Sequence, residues 1–457
     1  MKTVPAPFLL RGGCHPADTK QATAAKPIEA YPVPKTLWVS LAQHLGVPVK
    51  PLVKKGDLVR KGQPIAEPTG MVAPWVHAPT SGTVKSIGLR MTASNRYAQV
   101  VEIESDGQDM AMDTPVLTAI PDWEKQPAKT LIDQILKAGV IGMGGAGFPT
   151  HVKLNPPPGK KIDTLIINGA ECEPFLTADH RLMVEEAARI CSGIRILRHI
   201  LGGIRVRVGI EDNKPDAIAA MSAELQTMDG GVELVVLKAS YPQGAEKQLI
   251  YSCTRREVPS GGLPMDVGAL VENVGTAAAV HDAVVDGQPL IERVTTVGGH
   301  AVKNPKNIRA RIGTPLALLV ECCGGFTDDV GKFVSGGPMM GIALPSVEAG
   351  IDKTTSGLLA FTRKETQLFS SMPCISCSRC IHACPMGLLP SLLSESMEAE
   401  NVELAEELCV MDCIECGCCA YECPANRPLV QHMRHGKTRV LILRGKRAET
   451  QKKGIPA

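Results

Sequence analysis

Cysteine is the residue whose spacing in this 457-residue chain most clearly predicts chemistry. Of its 16 cysteines, ten lie between Cys374 and Cys423. Two runs have the spacing C-x2-C-x2-C-x3-C-P, the first from Cys374 to Pro385 and the second from Cys413 to Pro424. Thiolates at these spacings are ligands of [4Fe–4S] clusters, so the segment predicts two cubane clusters that carry single electrons.

The two-cluster spacing, which is that of bacterial ferredoxins, assigns the last cysteine of each run to the cluster of the other run. Three thiolates two residues apart surround one face of a cubane, whereas the fourth lies too far along the chain. Cluster one is therefore predicted to bind Cys374, Cys377, Cys380 and Cys423, and cluster two to bind Cys384, Cys413, Cys416 and Cys419. Zinc is a disfavoured alternative, because it needs only four ligands that usually come as two separated pairs. We interpret Cys409 and Cys418, which fall outside the spacing, as non-ligands.

The composition excludes several other classes of protein. Lys plus Arg is 49 and Asp plus Glu is 47, and this balance predicts no general attraction to nucleic acid. Cysteines crowded into one segment do not form a disulfide scaffold and indicate a reduced compartment. No stretch approaches the roughly 18 consecutive apolar residues of a membrane span. We therefore expect a soluble, cytoplasmic protein that partners could hold at a membrane.

A glycine loop forms the second candidate site. Gly142, Gly144 and Gly147 satisfy G-x-G-x-x-G, but a dinucleotide-binding turn needs a strand before it and a helix after it. The segment before the loop, 131–138, has helical periodicity, and the prolines at 156–158 cannot be helical. An ordinary Rossmann turn is excluded, although such a loop can still cradle a phosphate or admit a flat ring.

Strands and helices alternate after this loop, which predicts a parallel sheet with helices on its faces. The predicted strands are 164–168, 205–210 and 232–237, and the predicted helices are 179–201, 215–228 and 245–251. Ligands of such sheets bind beyond the carboxyl ends of the strands, where Asn168–Pro174 and Tyr241–Glu246 lie. Ordinary polar turns are the alternative. Between the cysteine runs, 388–408 is predicted to be one helix that buries Leu392, Met397, Val402, Leu404 and Leu408.

Specific residues carry a family resemblance. Gly144-Gly-Ala-Gly-Phe-Pro-Thr150, then Lys153, Asn168, Glu171 and Glu173, resembles the flavin-binding subunit of respiratory complex I. The whole chain, with its N-terminal Gly12-Gly-Cys-His-Pro-Ala-Asp-Thr-Lys20, resembles the C subunit of the Rnf electron transport complex more closely. Two departures from the complex I pattern are Ala170 and Ala245, where that pattern has acidic residues. The flavin environment is therefore expected to differ.

The resemblance implies non-covalent FMN and NAD(H) as cofactors beside the two [4Fe–4S] clusters. By this resemblance, FMN is surrounded by Gly142, Gly144, Gly145, Gly147, Lys153, Asn168 and Glu171, with Asn273 near its far side. The nicotinamide nucleotide faces Phe148, Glu173, Tyr241 and Glu246. Glu173 and Glu246 are the candidate catalytic residues, and their expected contribution is to position the rings.

The predicted architecture is multidomain α+β. The modules are an N-terminal strap (1–35), a barrel-sandwich hybrid (36–110), an α/β flavin/NADH domain (111–289), a β-grasp, SLBB-like domain (290–365), a two-cluster ferredoxin-like α-helical domain (366–440) and a basic tail (441–457). The barrel-sandwich resembles biotinyl and lipoyl domains. It has no lysine between Lys61 and Lys85 to acylate, so we interpret it as a scaffold. The tail is either a solvated face or a docking surface for an acidic partner or an anionic membrane.

The expected function is electron transfer between NADH, FMN, the clusters and a partner. A flavin must stand between NADH and the clusters because it accepts a hydride and releases single electrons. The resemblance implies a peripheral subunit on the cytoplasmic side of the cell membrane, bound to integral membrane and iron–sulfur Rnf subunits. That complex couples electron transfer between NAD(H) and ferredoxin, which this subunit meets indirectly, to ion translocation. The alternatives are a soluble NADH-dependent reductase of the cobalamin reductase type and a non-catalytic adaptor that uses clusters for stability.

Overall fold

The N-terminal segment of the chain belongs to two sheets at once. The structure, a computed structural model, describes residues 2–228, 230–366 and 370–452. Strand β1 (Lys2–Pro5) pairs in parallel with residues 233–236, and β2 (Ile28–Ala30) pairs in parallel with residues 307–309. The strap between these strands therefore connects two domains that follow much later in the sequence.

The barrel-sandwich module consists of two antiparallel sheets with a common apolar core. Its strands are β3 (Thr36–Ser40), β4 (Lys50–Pro51), β5 (Leu58–Val59), β6 (Pro64–Glu67), β7 (Val76–His77), β8 (Gly82–Met91) and β9 (Tyr97–Ser105). One sheet has the order β3-β9-β8-β5 and the other β4-β6-β7. Val39, Ile65 and Ile103 lie fully buried between them. Burial, together with the charge of Lys353, lowers the pKa of His77 to about 3, so this histidine is a neutral core residue.

The α/β domain has a five-stranded parallel sheet, which confirms the predicted strand–helix alternation. Its elements are α1 (Ala128–Lys137), α2 (Thr150–Lys153), β10 (Thr164–Gly169), α3 (Ala178–Glu185), α4 (Ala187–Ile200), β11 (Arg205–Glu211), α5 (Pro215–Leu225), β12 (Val232–Leu237), α6 (Glu246–Thr254), β13 (Ala269–Asn273) and α7 (Val274–Val284). The strand order is β1-β12-β11-β10-β13. The strand interiors are almost continuously apolar, as expected for a sheet covered on both faces.

Two helix predictions need correction. The predicted helix 179–201 is two helices, because Glu186 leaves helical geometry with φ −132° and ψ 33°. Its carboxylate is held there by the guanidinium groups of Arg189 and Arg309. The segment after the glycine loop is also helical for one turn, α2, which ends at Lys153 before the prolines at 156–158.

The β-grasp domain has a six-stranded mixed sheet that includes β2 of the strap. Its other elements are β14 (Glu292–Gly298), β15 (Lys306–Arg311), α8 (Leu316–Cys322), β16 (Val330–Ser335), β17 (Ile342–Leu344) and β18 (Gly357–Thr362). The strand order is β17-β16-β18-β14-β15-β2. Helix α8 buries Leu316, Leu319 and Val320 against this sheet.

The cysteine-rich region is helical. Its helices are α9 (Arg379–Ala383), α10 (Pro390–Glu398), α11 (Val402–Glu407), α12 (Cys418–Tyr421) and α13 (Leu429–Lys452). The single helix predicted over 388–408 is wrong, because Glu400 adopts a left-handed φ of 51° and Asn401 caps α11 by accepting a hydrogen bond from the Leu404 amide. Met397 and Val402 are buried as predicted and Leu408 is half-buried, but Leu392 and Leu404 are exposed.

Helix α13 continues into the predicted basic tail, whose residues 453–457 lie outside the described part of the chain. Much of the positive charge of α13 is paired with acidic side chains of the same protein. Arg434 and Lys437 contact Glu415, and Arg444 and Arg447 contact Glu406. These ion pairs favour an intramolecular role for this face of the helix. No helix in the described ranges has both the length and the apolar character needed to cross a membrane.

Candidate redox site

The glycine loop lies where two neighbouring parallel strands end. Asn168 of β10 and Asn273 of β13 are partners in the strand register, and both are at the carboxyl ends of their strands. The Gly142 amide donates to the Phe148 carbonyl at 2.8 Å and closes the loop. The Met143 amide donates to Thr276 Oγ1 of α7 at 2.9 Å. This is the position at which open parallel sheets bind ligands, and we call it the cleft.

Glycine is required in this loop for close approach and for backbone conformation. A Cβ on Gly144 would lie 3.0 Å from the Asn273 side chain, and Gly147 has a left-handed φ of +68°. Gly144 and Gly145 are exposed, and a Cβ on Gly145 would point into open space. The loop therefore presents bare backbone to the cleft, and a ligand can contact it directly.

Lys153 supplies a positive charge to the same cleft. Its Nζ donates to Glu246 Oε1 at 3.1 Å and to the Val271 carbonyl at 2.9 Å. Burial opposes the charge, but the carboxylates of Glu272 and Glu246 outweigh it, and the pKa of Lys153 is raised. Burial raises the pKa of Glu272, whose two oxygens have no hydrogen-bond partner, to about 7 although Lys153 opposes this shift.

A carboxylate network adjoins the cleft at Asn273. Glu171 accepts hydrogen bonds from the Asp179 and His180 amides at 2.8 and 2.9 Å, in the first turn of α3. Asp179 in turn accepts from Asn273 Nδ2 at 2.7 Å. Burial and the neighbouring Glu171 carboxylate raise the pKa of Asp179. Asn168 Nδ2 donates to the Gly244 carbonyl at 2.8 Å and so connects β10 to the loop before α6.

The eight predicted flavin residues are therefore neighbours around one cleft. They are Gly142, Gly144, Gly145, Gly147, Lys153, Asn168, Glu171 and Asn273. Two predicted nucleotide residues, Phe148 and Glu246, adjoin them and are partly exposed.

Glu173 and Tyr241 make their contacts away from this cleft. Glu173 accepts hydrogen bonds from the Met339 and Met340 amides of the β-grasp domain at 3.0 and 2.8 Å. Tyr241 is only 1% exposed, and its hydroxyl donates to the Cys416 carbonyl at 2.8 Å. These contacts favour a linking role between domains for both residues over contact with a nucleotide.

The predicted ligands of cluster two line one cavity. Cys384, Cys413, Cys416 and Cys419 surround it, together with apolar residues that include Leu388, Ile414 and Met433. Backbone amides point at the sulfurs, since Leu388 N lies 3.4 Å from Cys384 Sγ and Glu415 N lies 3.4 Å from Cys413 Sγ. The chain thus brings a cysteine of the first run to three of the second.

Three cysteines of the other predicted set, Cys374, Cys380 and Cys423, lie near one another. Burial raises the pKa of the Cys380 thiol, and the nearby thiols of Cys423 and Cys374 add to this. Cys377 is exposed. The sulfurs of these cysteines are too far apart for a zinc site. In the described part of the chain, a group of three metal-ligand atoms within 4.8 Å of one another occurs at His281, Asp282 and Asp286, and not at these cysteines. Tetrahedral zinc with 2.3 Å bonds would need its sulfurs within about 4 Å.

The two cysteines interpreted as non-ligands lie outside the cavity. Cys418 is buried with its Sγ 3.4 Å from that of Cys14, and Cys409 is exposed. Sequence reasoning missed three titratable groups near the cleft, namely Lys20 and Glu272, which are buried, and Asp179, which is half-buried. The N-terminal motif contained a signal for Lys20, and an acid inside an apolar run was a signal for Glu272. Asp179 had none beyond its place in a helix.

Relatives of known name cover almost the whole chain. The C subunit of the proton-translocating ferredoxin:NAD+ oxidoreductase complex of Clostridium ljungdahlii is 48% identical over 429 residues, which are 94% of this chain and 93% of that one. The C subunit of the Na+-translocating ferredoxin:NAD+ oxidoreductase complex of Acetobacterium woodii is 42% identical, over 95% of this chain and 98% of that one. The chain belongs to the RnfC family. The C subunit of the ion-translocating oxidoreductase complex of Rhodobacter capsulatus is 43% identical, over 94% and 83%.

Family models match three modules of this RnfC family member. The Nuo51 FMN-binding domain matches residues 135–282, a range that contains the glycine loop, Lys153, Asn168 and Asn273. The RnfC barrel sandwich hybrid domain matches residues 8–108, and the SLBB domain matches residues 294–343. These matches confirm the predicted barrel-sandwich, flavin and SLBB-like modules. The ferredoxin-like character of the cysteine-rich domain stays a prediction.

Proposed function

We propose that this RnfC family member exchanges electrons with NAD(H) and passes them through FMN and two [4Fe–4S] clusters to the other components of a membrane-bound Rnf complex. The complex would couple electron transfer between NAD(H) and ferredoxin to ion translocation. The observation that carries this proposal is the contact between the α/β domain, which holds the cleft, and the lining of the four-cysteine cavity. Tyr241 follows β12 of the cleft domain, and its hydroxyl donates to the carbonyl of Cys416, which lines the four-cysteine cavity.

The residues present in the cleft fit non-covalent FMN. Exposed backbone at Gly144 and Gly145 permits a ring or phosphate to approach, and Lys153 keeps its positive charge at neutral pH for an anionic group. Asn168 and Glu171 are held in place by bonds to Gly244 and α3. When bound, FMN would supply the conversion between hydride transfer and single-electron transfer. The chain itself would position this group through these side chains and the exposed loop backbone.

The nucleotide side of the proposal rests on Phe148 and Glu246. Both are partly exposed beside the glycine loop, and the Glu246 carboxylate is held by Lys153. We assign to Glu246 the positioning of NAD(H), and to Glu173 and Tyr241 the fixing of the β-grasp and cluster domains against the cleft. This revises the catalytic role that the resemblance implies for Glu173.

Contacts between the cleft domain and residues next to Cys384 and Cys413 support a position of the proposed cluster two near that domain. Gln248 Nε2 of α6 donates to the Pro385 carbonyl at 3.0 Å, next to Cys384. The Gly261 amide donates to Asp412 at 3.2 Å, next to Cys413. Cys377 of the other set is exposed. We propose that cluster two exchanges electrons with the flavin and cluster one with a partner.

The partners and location follow from the family. The matched relatives are named as parts of ion-translocating complexes, so we propose that integral membrane and iron–sulfur Rnf subunits bind this chain at the cytoplasmic face of the membrane. Ferredoxin would be reached through those subunits. The same relatives favour this function over the soluble reductase and the non-catalytic adaptor.

Anaerobic reconstitution tests the proposal directly. We expect about eight irons and one FMN per chain, and bleaching of the flavin absorbance by NADH. A chain that takes up iron but binds no FMN would refute the NADH role. Membrane fractionation of cells then tests the partners, since a soluble reductase would stay in the supernatant while a component of the Rnf complex would sediment with its integral membrane partners.

A further inference from the structure

The N-terminal motif has no role in the function proposed above, yet its residues contact both the loop after β10 and the cluster-two cavity. The segment 12–20, which we call the strap motif, contains a lysine that is only 6% exposed and a cysteine that is only 3% exposed. It has no regular secondary structure beyond a single bridge at Cys14. Such a segment is ordered by specific contacts, so the contacts of its two ends indicate what it does.

One end of the strap motif organises the loop that follows β10. Lys20 Nζ donates to the carbonyls of Glu171 and Glu173 at 2.9 Å each, and to that of Leu176 at 2.5 Å. The Phe175 amide donates to the Asp18 carbonyl at 2.8 Å. Glu171 and Phe175 have left-handed φ values of 46° and 67°, an unfavourable conformation for residues with side chains. An ammonium with three donors, pointed at three carbonyls, holds the loop in this shape.

The other end of the strap motif contacts the cavity of cluster two. The Gly13 amide donates to the Ala383 carbonyl at 2.9 Å, and a Cβ on Gly12 would lie 2.7 Å from the Cys384 carbonyl oxygen. Cys14 exchanges two backbone hydrogen bonds with Tyr241, at 2.8 and 3.0 Å. The Cys14 side chain packs on Cys418. One short segment therefore contacts both the loop of the cleft and the backbone beside a predicted cluster ligand.

We propose that the strap motif is a positioning element that fixes the Glu171–Leu176 loop of the cleft relative to the cluster-two cavity, with Lys20 as its principal positioning residue. Lys20 acts through Glu171 and Glu173, whose backbone it holds. Glu171 then reaches the cleft network and Glu173 reaches the β-grasp domain. The identity of the two sites rests on the proposed function, but the positioning itself does not.

Hydrogen exchange on the full chain, with and without added FMN, tests the Lys20 end. Lys20→Met keeps the length of the side chain and removes all three donors. We expect amides in 168–180 to exchange at least about tenfold faster, while amides of β11 and α5 in the same domain stay unchanged. The apparent dissociation constant of FMN should rise about tenfold. Lys26→Met is the matched control, because Lys26 lies in the same N-terminal strap (1–35) but outside the strap motif, and its Nζ donates to the Pro305 carbonyl and to no other carbonyl in the described part of the chain.

Glycine substitutions test the other end. Gly12→Ala should speed exchange in 380–388 and 240–246, because its Cβ meets the Cys384 carbonyl. Gly107→Ala is the control, since Gly107 has a similar φ of +73° and open space around it. If Lys20→Met does not fold, Lys20→Gln is used. The glutamine amide has only two N–H donors and so cannot bond all three carbonyls.

The outcomes separate this inference from the proposed function. Unchanged exchange in 168–180, or equal acceleration throughout the chain, would overturn the positioning role even if FMN and iron bind normally. Failure of the unmutated chain to bind FMN would refute the proposed function and leave the exchange comparison intact.

Discussion

The cleft and the cluster site are built in opposite ways. The cleft collects residues from four separate parts of the α/β domain, namely the glycine loop, α2 and the ends of β10 and β13, and the parallel sheet brings them together. The cluster-two cavity takes three of its four cysteines from seven consecutive residues, 413–419, and a single one from the earlier run. Local spacing thus specifies most of the cluster site, whereas long-range pairing specifies the cleft.

This difference predicts how each site responds to the loss of one side chain. A cluster site should fail completely when one thiolate is lost, because the metal needs every ligand. A cleft made of backbone and several polar groups should weaken by steps, since each group contributes a fraction of the binding free energy. Substitutions in the two sites test that contrast, in order of expected effect.

The largest effect is expected from paired cysteine substitutions, which also test the crossed ligand sets. Cys384→Ser with Cys413→Ser should remove about four of about eight irons, because both cysteines belong to cluster two. Cys380→Ser with Cys384→Ser should remove all of them. Iron analysis after anaerobic reconstitution measures this, with Cys409→Ser as control. If the first pair removes all iron, the sets are not crossed.

Lys153→Met should weaken FMN binding about 10- to 100-fold, because a charge-assisted hydrogen bond contributes about 1.5–3 kcal/mol. Iron content should stay constant, since the cluster cavity does not depend on this lysine. Quenching of flavin fluorescence during titration gives the dissociation constant. Lys160→Met is the control, as Lys160 pairs with Asp266 at the surface. An unchanged dissociation constant would mean that Lys153 does not contribute to FMN binding.

Glu272→Gln should change how stability depends on pH. The pKa of Glu272 is raised to about 7 in the folded chain, whereas in the unfolded chain it is about 4.5. The folded state therefore holds a proton that the unfolded state loses, and stability falls as pH rises from 4.5 to 7. The variant should be more stable above pH 7 by about 3 kcal/mol at most.

Urea unfolding of the FMN-free chain at pH 5 and pH 8 measures this difference. Glu257→Gln serves as the comparison, because that side chain is largely exposed and pairs with Arg11 at the surface. Equal stabilisation at both pH values would mean that Glu272 is not a protonated group in the fold.

The smallest effect is expected from Tyr241→Phe, which distinguishes a linking residue from a nucleotide contact. Loss of the bond to the Cys416 carbonyl should cost about 1–2 kcal/mol of unfolding free energy, because the buried carbonyl loses its partner. The KM for NADH should not change. Tyr421→Phe, at an exposed position, is the matched control. A raised KM with unchanged stability would restore the nucleotide role.

The hydrophobic pattern of the sequence predicted which segments form strands and helices better than it predicted where the helices break. The predicted strands 164–168, 205–210 and 232–237 lie within β10, β11 and β12. Parallel strands that are buried on both faces have nearly continuous apolar runs, which can be recognised in the sequence. The helices predicted over 179–201 and 388–408 are each divided in two. A hydrophobic pattern cannot reveal that Glu186 is held by arginines, one of them 123 residues away, or that Glu400 adopts a left-handed conformation.

The sequence by itself determined the flavin module and predicted the iron–sulfur chemistry of this protein. Cysteine spacing predicts the cubane ligands because a cluster has fixed dimensions, and the glycine loop with Lys153 and Asn168 identifies the flavin module. Only the tertiary structure decided which predicted residues share a cleft and which connect domains. Tyr241 and Glu173 have the same sequence signature as the cleft residues, but their burial against Cys416 and the Met339–Met340 backbone depends on domains that fold around them. Contacts between distant segments are set by packing of the whole chain, and no local pattern encodes them.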